Sequence, residues 1–195
     1  ATAARIGEVL AARWEQVDFE RRNLTLPETK NGKRHEIWLS DFALLQLKSL
    51  HESTGLTPWL FPATQTKKDQ PDFADHVCVK TVTKQVGDRQ RPGDVPMSGR
   101  SKDVDALVLP GGKWTPHDLR RTAATTMAEL GTLPDVVEKC LNHTEVGKVK
   151  RIYQRAQYEG PMREAWKLLG SRLALLQDMA HGRVTNVVPL QQRGR

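Results

Sequence analysis

Apolar residues first recur at helical spacing at Ile6, Val9, Leu10 and Trp14, which predicts an amphipathic helix over residues 3–14 with Arg5 and Glu8 three apart on an adjacent face. The period then shortens. Residues 23–26 and 35–39 alternate apolar and polar, and Asn31-Gly32 between them is a strong hairpin signal. With residues 17–20 as a first strand, this reads as a three-stranded antiparallel sheet that carries Lys30 and Lys33 at its second turn. Helical spacing returns after Ser40-Asp41, a capping pair, with Phe42, Leu44, Leu45, Leu47 and Leu50 expected inward and a stop near Gly55.

The segment PWLFP at 58–62 is an apolar loop expected to pack down, and residues 64–72 are polar and turn-like. A second helix is expected over 74–86, with Val77, Val82 and Val86 inward and Lys80, Lys84 and Arg89 outward. Residues 87–112 are rich in Gly, Pro, Asp and Arg and predict no regular structure beyond a short extended piece at 106–109. Thr115-Pro116-His117-Asp118 has cap, Pro at the first helical position and a capping-box acid in sequence, so a helix runs from there to Gly131. Pro134 starts a short helix that ends before His143, and a further short helix carries Tyr153. From Gly160, the stripe Met162, Trp166, Leu169, Leu173 and Leu176 marks a long amphipathic helix. The tail beyond His181 is basic, with a β-prone cluster at 184–188 that is either disordered or adds a strand to a neighbouring sheet.

Composition narrows the class. With 195 residues, 38% hydrophobic and 27% charged, the chain can bury a substantial core and has no apolar run of membrane-spanning length. A net charge of +7 makes a polyanion a reasonable partner. Two cysteines, Cys78 and Cys140, are too few for a disulfide framework or thiolate metal site, so the expected setting is reducing and cytoplasmic. No signal sequence precedes the first helix, which begins without a cap, so an N-terminal portion is expected to be missing. No metal-spaced cluster, Gly-rich phosphate loop or repeat is found in the sequence.

Candidate chemistry concentrates in LNHTEVGKVKRIYQR, residues 141–155, where Tyr153 follows His143 by ten positions among Lys148, Lys150, Arg151 and Arg155. Such a field favours the ionised phenol and attracts phosphate. Taken alone, the segment reads as a helix with a solvated basic face and a half-buried ring. A sharper feature is His117 with Arg120, one turn apart at a helix N-terminus where amides and dipole favour an anion. Lys80 and Lys84 are candidates for the DNA backbone or are merely solvated, and a turn lysine such as Lys30 or Lys33 is ordinarily solubilising.

In chain order, ARIGE, TKNGK, HDLRR, LNH and a following tyrosine resemble the catalytic domain of tyrosine recombinases, the phage integrase family, and the form LNHTEVGKVKRIYQRAQY is most similar to the P4-like integrases of prophages and genomic islands. The resemblance implies an α+β, mainly helical domain over residues 1–180 with a small three-stranded sheet near its start, followed by a basic tail at 181–195. It matches Arg5, Lys30, His117, Arg120, His143 and Tyr153, the nucleophile, to the catalytic positions, and Glu8 to a supporting acid. Lys33, Lys80, Lys84, Lys148, Lys150 and Arg151 are left as candidate backbone contacts. The implied activity is cleavage and rejoining of duplex DNA through a 3′-phosphotyrosine link without metal or nucleotide cofactor, by a tetramer whose C-terminal helix or tail is a candidate contact. Departures from the family pattern are Ala3-Ala4 where Thr-Gly is common and Asn142 where Gly is common before the histidine. Tyr158 is the fallback nucleophile, and DNA relaxation of the type IB topoisomerase kind or an inactive DNA-binding module are the alternative functions.

Overall fold

The computed structural model describes residues 1–63, 75–93, 98–143 and 158–183. The polar stretch at 64–72, the short helix carrying Tyr153 and the β-prone tail fall outside them. The alternating segments form strands β1 (Val17–Asp18), β2 (Asn23–Leu26) and β3 (His35–Trp38), antiparallel in the order β1-β2-β3. Register pairs Leu24 with Ile37 and Leu26 with His35, so one face of the sheet is buried and Glu36 looks outward. The first strand is shorter than its pattern predicts, because the Asp18 carboxylate accepts the Arg21 N–H at 2.7 Å and turns the chain. Asn31-Gly32 forms no two-residue hairpin. It closes a turn within a longer loop, in which the Gly32 N–H donates to Thr29 O at 2.8 Å and Gly32 takes φ 65°.

Helix α1 is Ile6–Leu10, and a 3-10 turn at Trp14–Gln16 replaces the rest of the helix expected over 3–14. Arg5 is extended, at ψ 138°, so the helix starts after it. Its early end has a partner: Leu60 N–H donates to Ala12 O and Trp14 N–H to Pro58 O, both at 3.0 Å, so the packed apolar loop captures the chain there. Helix α2 is Asp41–Thr54, capped by Ser40 Oγ, which accepts the Ala43 N–H at 3.3 Å. Leu44, Leu47 and Leu50 face the core, whereas Leu45 is 62% exposed, contrary to the expected pattern. The helix expected over 74–86 is α3, Val79–Asp88. Val77 is instead extended and donates to Phe61 O at 2.8 Å, continuing a bridge between Pro62 and His76.

The irregular segment after α3 is closed at its base by backbone bonds, Arg91 N–H to Val104 O at 2.6 Å and Leu107 N–H to Arg89 O at 2.9 Å, and by the Gln90 side chain. Gln90, buried, donates through Nε2 to Trp114 O and accepts the Trp114 N–H at Oε1, each at 2.8 Å. Within 106–109, where an extended piece is expected, Ala106 and Leu107 form a turn, the Val108 N–H donating to Asp105 O at 3.0 Å. Helix α4, Pro116–Glu129, has the predicted capping box, with Thr115 N–H donating to Asp118 Oδ2 at 2.8 Å, and Gly131 follows at φ 87°. Helix α5 is Pro134–Cys140, and α6 is Glu159–Ala180.

Helix α6 runs through the centre, against α2, α4, α5 and β3. Trp166 and Leu169 join Leu24, Ile37, Leu39, Leu60, Met127 and Cys140 in the core, while Leu176, expected inward, is 43% exposed past the end of the packed stripe. Burial pushes the Cys140 thiol up to about 12, so it behaves as an apolar filler. The architecture is mainly helical with a small sheet near the N-terminus.

Two expectations follow for stability. At Gly170 a Cβ would collide with the Ser40 side chain, which also caps α2. Gly170→Ala therefore reverses the usual gain of about 1 kcal/mol for Gly to Ala in a helix and destabilises by about 2 kcal/mol in urea unfolding. His35 points inward from β3, and burial, with Arg120 and Arg5 acting in the same direction and Glu8 against it, pushes its imidazole down to about 4 from 6.5. Between those values the unfolded chain binds the extra proton, so stability is intact above 6.5 and falls as pH drops toward 4, by up to roughly 3 kcal/mol. Urea titrations through this range will show the slope, and His35→Gln, which cannot titrate, will flatten it.

Candidate active site

Arg120 lies one turn into α4 and is only 6% exposed. Its Nη1 donates to Ala3 O at 2.6 Å and its Nη2 to Leu141 O. Both acceptors are neutral, so the guanidinium is oriented without its charge being cancelled. Burial, and then the neighbouring Arg5, lower its pKa from the ordinary arginine value, which still leaves it protonated at any working pH. Ala3 presents its carbonyl from a left-handed backbone, φ 56°.

Arg5 enters from the opposite side, at the start of α1. Its Nη1 pairs with Glu8 Oε1 at 2.9 Å and its Nη2 donates to Asn142 O at 3.3 Å. The same Glu8 oxygen accepts the Lys30 backbone N–H at 3.2 Å, tying the hairpin loop to α1. Asn142 joins the loop to the end of α5. Its carbonyl also accepts from Asn31 Nδ2 at 2.6 Å, and its own Nδ2 donates to Thr29 Oγ1 at 2.9 Å. Arg5, Glu8, Arg120 and the backbone of Lys30 are thus brought together, and the Lys30 and Lys33 side chains remain exposed.

His143, directly after Asn142, places Nδ1 2.7 Å from Glu138 Oε2, an α5 residue whose charge also reaches Arg120. That contact selects the proton on Nδ1 and turns Nε2 outward. His117 is exposed at the start of α4 and makes no hydrogen bond among the described residues. Beside it the Asp118 carboxyl is held below its usual range by the Thr115 hydroxyl and N–H. Lys80 and Lys84 are exposed on α3. Tyr153, Lys148, Lys150 and Arg151 lie outside the described residues. Tyr158 packs against the core with Lys139 Nζ 5.9 Å from its ring centre, a contact that suits a structural ring better than a nucleophile. Among the described residues no cluster of His, Cys, Asp or Glu is arranged to hold a metal.

Several members of this constellation escape sequence reasoning: the Ala3 and Leu141 carbonyls, Thr29, Asn31, Glu138, His35 and Asn142. One left a trace. Asn142 has φ 49°, which Asn tolerates and Gly prefers, and this accounts for Asn standing where Gly is common. What results is a pair of guanidiniums, one ion-paired with Glu8 and one bonded to peptide carbonyls, each with N–H groups to spare. Such a pair suits the non-bridging oxygens of a phosphodiester.

The Phage integrase family matches residues 1–159. Prophage integrase IntA of Escherichia coli (strain K12) is 29% identical over 170 residues, 85% of this chain and 35% of that protein. Tyrosine recombinase XerA of Pyrococcus furiosus is 26% identical over 155 residues, 79% of this chain and 46% of that protein. The chain therefore spans between a third and a half of these relatives' length. Two solved structures share the fold: a XerA recombinase, TM-score 0.55 at 17% identity over 95% of this chain and 55% of that one, and the Tn1549 transposon integrase in complex with circular intermediate DNA, TM-score 0.51 at 15% identity over 90% and 56%. With a family match over residues 1–159, most of its length, the chain belongs to the phage integrase family.

Proposed function

We propose that this chain is the catalytic domain of a site-specific DNA recombinase, an integrase that cleaves and rejoins duplex DNA through a 3′-phosphotyrosine link for integration and excision of a mobile element in the bacterial cytoplasm. The observation that carries the reading is the convergence of Arg5 and Arg120, from segments 115 residues apart, on the loop that ends in His143. Attack of the Tyr153 phenolate on phosphorus forms the Oη–P bond and breaks the bond to the 5′ oxygen. Negative charge that builds on the equatorial oxygens is met by the two guanidiniums, with His117 and His143 adding hydrogen bonds. One histidine takes the phenol proton and Lys30, at the hairpin loop, protonates the departing 5′ oxygen. The phosphoester energy stays in the link, so a new 5′ hydroxyl reverses the step without a nucleotide cofactor.

In this reading Lys33, Lys80, Lys84, Lys148, Lys150 and Arg151 bear on the DNA backbone. The active species is a tetramer on paired attachment sites, with the C-terminal helix or tail reaching a neighbouring protomer.

Nicked suicide substrates test the reading in the full-length protein. Tyr153→Phe abolishes the denaturation-resistant DNA adduct and leaves DNA affinity close to the parent's. An adduct that persists, or that maps to Tyr158, overturns the assignment. Arg120→Lys keeps a charge but loses the planar fork, and its cleavage rate falls about 10²- to 10³-fold, as for loss of a preorganised donor. Strand exchange between two sites, rather than relaxation of supercoils at many, separates a recombinase from a topoisomerase.

A further inference from the structure

We propose that His35 is a positioning residue of the arginine pair: its buried ring, packed against the Trp166 that holds the N-terminal segment, fixes the spacing of the Glu8 carboxylate and the two guanidiniums. This rests on the phosphodiester reading of the site. His35 opens β3 directly after the loop that holds Lys30, and is 5% exposed. Its ring centre lies 6.2 Å from that of Trp166, at an interplanar angle of 46°. Trp166 in turn donates through Nε1 to Thr2 O at 3.1 Å, one residue before the Ala3 carbonyl that receives Arg120. The His35 and Trp166 rings together therefore link the hairpin, α6 and the N-terminal segment that carries Ala3 and Arg5.

Arg5 and Glu8 at α1 and Arg120 on α4 all act electrostatically on the ring, Glu8 in the opposite sense to the two arginines. Among the described residues neither imidazole nitrogen has a hydrogen-bond partner, and neither does the second Glu8 oxygen, Oε2, also buried. Each such group loses its hydration without a partner in return, and an aliphatic side chain on β3 would fill the space without that loss. A cationic side chain would add a third positive charge beside the arginines. A neutral ring with an N–H adds none, and supplies a donor for Glu8 when a phosphate competes for Arg5.

Ring-nitrogen NMR of His35 in the DNA-free chain tests the coupling directly. Glu8→Gln shifts the His35 titration midpoint down, and Arg5→Ala and saturating inorganic phosphate each shift it up. A midpoint unmoved by all three overturns the proposal. Single-turnover cleavage of a nicked suicide duplex by the full-length protein supplies the second arm. At saturating DNA His35→Leu slows cleavage about 10- to 100-fold, as for a small misplacement of reacting groups, while affinity for the duplex changes less than about 2-fold. His35→Gln, which keeps a neutral N–H, recovers most of the rate. A Leu variant that cleaves at the parent rate, or a Gln variant no better than Leu, sinks the idea. If the unsubstituted protein forms no adduct, the recombinase reading fails, and the NMR arm still decides whether His35 is coupled to the arginine pair.

Discussion

A buried guanidinium needs acceptors, and the nature of those acceptors decides what it is good for. Arg120 is held by two peptide carbonyls, Ala3 O and Leu141 O, rather than by a carboxylate. The rest of the structure follows from satisfying that requirement. The N-terminal segment must reach α4, which the left-handed Ala3 and the Trp166 bond to Thr2 O achieve. The end of α5 must come within reach of the same side chain, which the packing of Val136, Val137 and Cys140 in the core secures. Because peptide dipoles orient the fork without neutralising it, the positive charge is left for an incoming anion.

Arg5 is treated differently. Its partner Glu8 has a side chain only 9% exposed, and a single oxygen serves both the guanidinium and the Lys30 N–H. Loss of that carboxylate would free two segments at once. The Asn142 carbonyl is shared in the same manner between Arg5 and Asn31. These shared acceptors couple α1, the hairpin loop and the α5 end into one unit of hydrogen bonds, in which a displacement of one segment is felt by the others.

The sequence made the elements readable wherever local rules suffice. Alternation gave the sheet, and Thr115, Pro116 and Asp118 gave the start of α4 almost to the residue. It misjudged elements whose limits are set from a distance. Helix α1 stops because residues 58–60 bond to its exit, and α3 starts late because Val77 pairs with Phe61, neither of which periodicity reports. The same division holds for the site. Side chains with recognisable chemistry, Arg5, Arg120 and His143, stand in short motifs, but the groups that aim them are backbone carbonyls and a glutamate one helix turn back, with no signature of their own. Asn142 is the exception, since its residue type already reports its backbone.

The amide of Gln90, bonded to both the N–H and the carbonyl of Trp114, acts as a substitute peptide group that pairs with the chain entering α4. It closes the segment between them into a loop with a stem that is also tied by backbone bonds, Arg91 N–H to Val104 O at 2.6 Å and Leu107 N–H to Arg89 O at 2.9 Å, so that added length falls beyond this stem, between Arg91 and Val104. Closing a longer loop adds only about 0.6 kcal/mol for each doubling of length. Length in this segment is therefore nearly free. Insertions there, whether natural or engineered as a tag or a probe, can change the surface the domain presents while the start of α4, with His117 and Arg120, stays where the core has put it.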